Sequence, residues 1–121
     1  MLTLHEVLED ARCSGDFEGM GSIDVNTRGA SGTTPLHFIA TLGDVPAAQL
    51  LLDAGAGINA ADGSGRTPLH EAVTLGHESL IRLLVSRGAS RVAKDIQGDT
   101  PESIANAANA ARIVAALQNA A

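Results

Sequence analysis

Apolar residues in this chain return at helical spacing in short bursts, separated by polar, turn-rich stretches. Over 78–87 the spacing of Leu80, Leu83, Leu84 and Arg87 gives one apolar stripe and predicts a helix. Just upstream, Thr67-Pro68 is a helix-start signal. The Thr hydroxyl can cap a free backbone N–H, and proline at the first helical position loses no hydrogen bond. A first helix is therefore predicted from Pro68 to Leu75, with Gly76 supplying a positive-φ end. Gly88 closes the second helix in the same way. The stretches 56–66 and 89–99 are rich in Gly, Asn, Asp and Ser, which predicts turns or short hairpins.

The whole pattern repeats. Thr34-Pro35-Leu36-His37 recurs 33 residues later as Thr67-Pro68-Leu69-His70, and Thr100-Pro101 repeats its first half. Gly43 steps to Gly76, Gly55 to Gly88, Asp62 to Asp95, and Leu51-Leu52 to Leu84-Val85. A fixed period of this length means one supersecondary unit built several times and stacked. Residues 34–66 and 67–99 are two full units, and 100–121 is a shortened last one. Residues 1–33 form a degraded first unit. Its landmarks Gly15 and Ser22 are seven residues apart where Gly43 and Gly55 are twelve apart, so its second helix is expected to be stunted.

The segment 62–89 resembles an ankyrin repeat almost position by position, and 29–56 matches nearly as well, although Gly29 stands where Asp is expected. Residues 95–121 match at Asp95, Gly98, Thr100, Pro101, Ala105 and Leu117. They depart at Glu102-Ser103, which replace Leu-His, and at Asn109, which replaces Gly. The first 33 residues match loosely, through Leu8, Ala11, Gly15, Asp16 and Asp24-Val25-Asn26. The resemblance implies an all-α ankyrin-repeat solenoid, a single domain of stacked helix-turn-helix units joined by β-turn or hairpin loops. It also implies that His37 and His70 are structural clips between neighbouring units. Terminal units of a stack have one face without a neighbour, so an atypical, polar last unit is expected. Nine of the seventeen residues from Ala105 to Ala121 are Ala, the best helix former. Asn109 is expected in the left-handed position that Gly would take.

Composition narrows the setting. Apolar residues make up 45 % of the chain, but only Phe17 and Phe38 are aromatic, so the core must be Leu, Ile, Val and Ala. Cys13 is the only cysteine, which rules out an internal disulfide. The first residues have neither the basic start nor the apolar run of a signal peptide, and no stretch approaches a membrane span. A cytoplasmic location, no membrane contact and a monomeric state are expected. Residues 1–60 hold eight acids and two bases, whereas 61–121 hold six of each. An acidic N-terminal half argues against nucleic acid as a ligand. Arg82, Arg87, Arg91 and Lys94 form a small basic cluster, part of which reads as a helix pair between Glu78 and Arg82.

No reactive constellation emerges. His70-Glu71 would open a zinc helix, but Thr74 stands where the second His is required. The four histidines have no ligand spacing, there is no nucleophile elbow, and Gly63-Ser64-Gly65 lacks the lysine and third glycine of a phosphate loop. No metal, cofactor or catalytic residue is expected, and an enzyme is disfavoured.

The function expected is protein binding. In proteins that this chain resembles, partners are gripped by hairpin tips and by the exposed side of each first helix, which together line a concave groove. Carried onto this sequence, the tip positions are Arg28, Ala30, Ser31 and Thr33, then Ala61, Gly63, Ser64 and Arg66, then Lys94, Ile96, Gln97 and Asp99. The helix positions are Phe38, Thr41, Leu42, Glu71, Thr74 and Leu75. Phe38, Leu42 and Leu75 are apolar where water is expected. They form either an interface core rimmed by Thr41, Arg66 and Glu71, or side chains tucked against the hairpins. The alternative function is a stoichiometric inhibitor or immunity protein whose acidic half masks a toxin or a cytoplasmic enzyme.

Overall fold

The computed structural model describes residues 2–13, 15–21, 23–108 and 110–119. Ser22 and Asn109, singled out above, lie outside the described residues. Among the described residues seven α-helices follow one another: α1 Leu4–Arg12, α2 Pro35–Leu42, α3 Val45–Asp53, α4 Pro68–Leu75, α5 Glu78–Ser86, α6 Pro101–Ala107 and α7 Ala111–Asn119. No strand occurs among the described residues. The first helices α1, α2, α4 and α6 pack in sequence order, and the second helices α3, α5 and α7 form a parallel second layer. Where α1 would be followed by a second helix there is only a 3-10 turn, Gly15–Phe17, whose Phe17 ring is fully buried.

Local chemistry sets the helix bounds. Thr34, Thr67 and Thr100 sit in extended backbone as N-caps, each followed by proline at the first helical position. Gly76 ends α4 at φ 75°, a conformation that costs glycine nothing and any other L-residue strain. Helix α5 stops at Ser86, one residue short of the sequence expectation, because Arg87 already acts as its C-cap. The α5 face also differs from the expected stripe. Leu80, Ile81 and Leu84 are buried, Leu83 is half-buried, and Arg87 is exposed in an ion pair with Asp53 at 2.9 Å. The cause is that α5 packs on α3, α4 and α7 at once, so its buried arc is rotated and widened toward Ile81.

One continuous core runs through the stack, from Val7 through Leu36, Leu51, Leu69 and Leu84 to Leu117. Each such leucine contributes roughly 1.5–3 kcal/mol through burial. Polar clips tie the units in register. His37 Nδ1 accepts the Thr34 N–H at 3.1 Å, which leaves Nε2–H to donate at 2.8 Å to the carbonyl of Arg66, the residue just before the Thr67 cap that opens the next unit. His70 repeats this with Thr67 N–H at 3.0 Å and the Asp99 carbonyl at 3.0 Å. A second ladder uses asparagine. Asn26 Oδ1 accepts Gly57 N–H at 3.0 Å, and Asn59 Oδ1 accepts Ser90 N–H at 2.8 Å.

Burial holds His37 below its ordinary pKa of 6.5, outweighing its bond to the Arg66 carbonyl. The unfolded chain therefore takes up a proton at this residue before the folded chain does. Stability should be complete above about pH 6.5 and fall as pH drops from there toward the folded value, with a slope of at most about 1.4 kcal/mol per pH unit. Urea midpoints measured from pH 7.5 to 5.5 should decline in the parent protein, and the decline should shrink in His37→Asn.

Candidate protein-binding surface

Each connection between units closes as a short finger. Backbone bonds from Gly29 N–H to Thr33, Asp62 N–H to Arg66 and Asp95 N–H to Asp99 span 2.7, 2.9 and 2.9 Å. Asp62 and Asp95 brace their fingers from within. Asp62 Oδ1 accepts the Ser64 and Arg66 N–H groups, and Asp95 Oδ1 those of Gln97 and Asp99. The bond from Asp99 is the main cause holding the Asp95 carboxyl below its usual range. Gly29 cannot supply such a brace. In that first finger, Arg28 donates to the carbonyls of Gly32 (2.9 Å) and Ala61 instead.

Adjacent fingers stack through one backbone bond each, Gly63 N–H to Ser31 and Ile96 N–H to Ser64, both 2.9 Å. Glycine is required at 65 for this contact. Its φ is +76°, which strains any other L-residue, and a Cβ there would lie 3.1 Å from Asp95 Cα, tighter than an ordinary contact.

Arg66 joins the fingers to the helices. Its Nε donates to Glu71 at 2.9 Å, its Nη2 to Thr74 Oγ1 at 2.6 Å and to the His70 carbonyl at 3.3 Å, and its Nη1 lies 3.6 Å from Asp95. The finger therefore lies along the exposed side of α4, and together they line one groove. Arg66, Glu71 and Thr74 are brought together, but as partners of one another. A shallow cavity of about 260 Å³ opens here between Ser64, Arg66, Asp95, Ile96 and Gln97.

The apolar trio divides. Leu42 and Leu75 are 56 % and 51 % exposed, at the last positions of the neighbouring helices α2 and α4. Phe38 is half-buried and packs on the core, so it alone of the three turns inward. Thr41 is exposed, but its hydroxyl is turned back to the Phe38 carbonyl at 2.6 Å. Arg28, Ser31, Ser64 and Gln97 are exposed on the fingers, with Thr33 half-buried at the foot of the first. Ile96 is 76 % exposed at the third tip.

Three features escape a reading by sequence position alone. Val92, just before the third finger, is 66 % exposed, where the stretches before the earlier fingers carry Asn26 and Asn59. The 33-residue spacing of those two asparagines is the signal that marks it as a departure. Asp10 is exposed on α1, and the offset that carries Gly15 onto Gly43 places it in register with Phe38. His77 occupies the position of the N-cap Asp44, yet it makes no cap and instead bonds the Thr41 carbonyl of the preceding unit at 3.0 Å. Its ring fills the space beside Gly43 that any side chain there would need.

Among the described residues, no buried side-chain nitrogen or oxygen lacks a partner, and no group of three or more His, Cys, Asp or Glu residues could hold a metal. No helix among them is long and apolar enough to cross a membrane.

Stacked helix pairs, joined by braced fingers and clipped by repeated Thr–His pairs, define an all-α repeat solenoid. A family model of ankyrin repeats matches three copies over residues 13–95, and the chain belongs to the ankyrin repeat family. Members of that family are generally protein–protein interaction modules and typically non-catalytic. A comparison with curated proteins gave no match.

Proposed function

We propose that this chain is a non-catalytic module that holds a partner protein in the groove between its fingers and the exposed side of α2 and α4. The observation that carries the reading is the pair Leu42 and Leu75, both more than half exposed and aligned on adjacent helices. Exposed apolar side chains in register, bordered by polar groups already satisfied within the chain, suit the centre of an interface. The contact residues are Leu42 and Leu75 at the centre, with Phe38, Thr41, Glu71 and Thr74 beside them. Arg28, Ser31, Thr33, Ser64, Arg66 and Gln97 contribute from the fingers. The protein acts as a monomer in the cytoplasm.

Leu42 and Leu75 contribute little to the core, so Leu42→Glu with Leu75→Glu should lower the unfolding free energy by only about 1–2 kcal/mol, chiefly because two carboxylates then stand at the negative ends of α2 and α4, and the fold should persist. The same variant should fail to retain the partner that co-purifies with the parent protein. Undiminished retention would remove this groove from the account.

A second reading is favoured by the charge asymmetry. Residues 1–60 carry the entire net charge of −6, which would steer the chain toward a basic active site or toxin surface and make it a stoichiometric inhibitor. That reading requires one-to-one association that weakens steeply with salt, and salt-insensitive association counts against it.

A further inference from the structure

We infer that the groove takes a basic amphipathic helix, seated with apolar side chains two turns apart on Leu42 and Leu75. The inference rests on the binding reading above and assigns the chemistry of the ligand. Its first ground is hydrogen bonding. The polar groups beside the apolar pair are engaged within the chain. Thr41 Oγ1 donates to Phe38, the Thr41 carbonyl receives His77, and Thr74 Oγ1 receives Arg66. An extended segment laid here would find no ladder for its backbone, whereas a helix brings its backbone already satisfied.

The second ground is spacing. Neighbouring packed helices lie about 8–10 Å apart, so Leu42 and Leu75 repeat at about that interval. Residues i and i+7 of a helix crossing α2 and α4 rise by about 10.5 Å, which matches.

The third ground is charge. Leu42 and Leu75 stand at the carbonyl ends of α2 and α4, where the helix dipoles are negative. Asp10 and Asp44 are exposed toward the acidic end of the stack, and Asp10 makes no ion pair among the described residues. The cations on this side are occupied: Arg12 by Glu9, Arg28 by backbone carbonyls, and Arg66 by Glu71 and Asp95. Lys94 lies on the third finger, away from that end. A ligand helix therefore places its basic residues over the first two units.

The test uses two synthetic 18-residue amphipathic helices, one of Leu and Lys and one of Leu and Glu, titrated calorimetrically into the full chain. The Leu/Lys helix should bind one-to-one and at least about tenfold tighter than the Leu/Glu helix. Leu42→Ser with Leu75→Ser should weaken it by about tenfold or more, and Asp10→Lys by about threefold. Val92→Ser, in the stretch between α5 and the third finger and outside the groove, should leave it unchanged. Equal or tighter binding of the Leu/Glu helix overturns the inference. So does unchanged affinity in the Leu42/Leu75 variant, since binding would then be a general attraction to an acidic protein. Should this fail while Leu42→Glu with Leu75→Glu still loses the co-purifying partner, the groove stands and only the basic-helix class is removed.

Discussion

His70→Ala should lower the unfolding free energy by about 2–5 kcal/mol, among the largest losses available to a single substitution here. His70 is fully buried, and its two ring nitrogens tie the start of α4 to the Asp99 carbonyl at the junction with the next unit. Truncation leaves the Thr67 N–H and the Asp99 carbonyl without their partner and opens a void between α4 and its neighbours. Each orphaned buried group costs about 1–3 kcal/mol, and the void adds to that. Ser103 provides the internal contrast. It holds the same place in α6, where its hydroxyl accepts the Thr100 N–H at 2.8 Å and donates to the Thr100 carbonyl at 3.0 Å. It is exposed and has no arm to reach another unit, so Ser103→Ala should cost about 1 kcal/mol or less. Urea unfolding of both variants measures the difference. Similar losses would mean that the histidine works as a helix cap alone and not as a clip.

Leu84→Ala should cost a comparable 2–5 kcal/mol. Leu84 is fully buried on α5, which packs against α3, α4 and α7 and so links three units. In a linear stack each unit leans only on its neighbours, so a cavity here weakens the junctions on both sides. Leu83→Ala, one position earlier and half-buried, should cost clearly less. Denaturant midpoints at unchanged slope check both values. An equal cost for the two would favour the stripe through Leu83 and Arg87 over the observed face.

The contrast between Leu83 and Leu84 marks what the sequence carries and what it does not. Helix starts and stops were legible because they are local. Thr-Pro fixes a cap and a φ angle, and Gly76 fixes a left-handed end, whatever surrounds them. The stacking was legible because the 33-residue period repeats whole units. Which arc of α5 is buried was not, because it depends on three neighbouring helices at once, and Ile81 falls inside that arc only after they assemble.

The groove divides along the same line. Leu42 and Leu75 were legible as apolar residues in positions where water is expected. Phe38 read identically, and only the packed stack turns it inward. Arg66 reads from the sequence as a tip position and as part of the rim of the apolar trio. Its bonds to Glu71, Thr74 and Asp95 run five, eight and twenty-nine residues ahead, a pattern no helix or strand period encodes. His77 was unreadable for the reverse reason. Its sequence position belongs to an N-cap, but the space beside Gly43 lets the ring reach back to Thr41.

Amide hydrogen exchange on the chain, alone and saturated with its co-purifying partner, tests the central claim most directly. The account predicts added protection at the C-terminal turns of α2 and α4 and in the fingers at 29–33, 62–66 and 95–99. Protection confined to α3, α5 and α7 would contradict it, since the partner would then sit on the opposite layer of the stack.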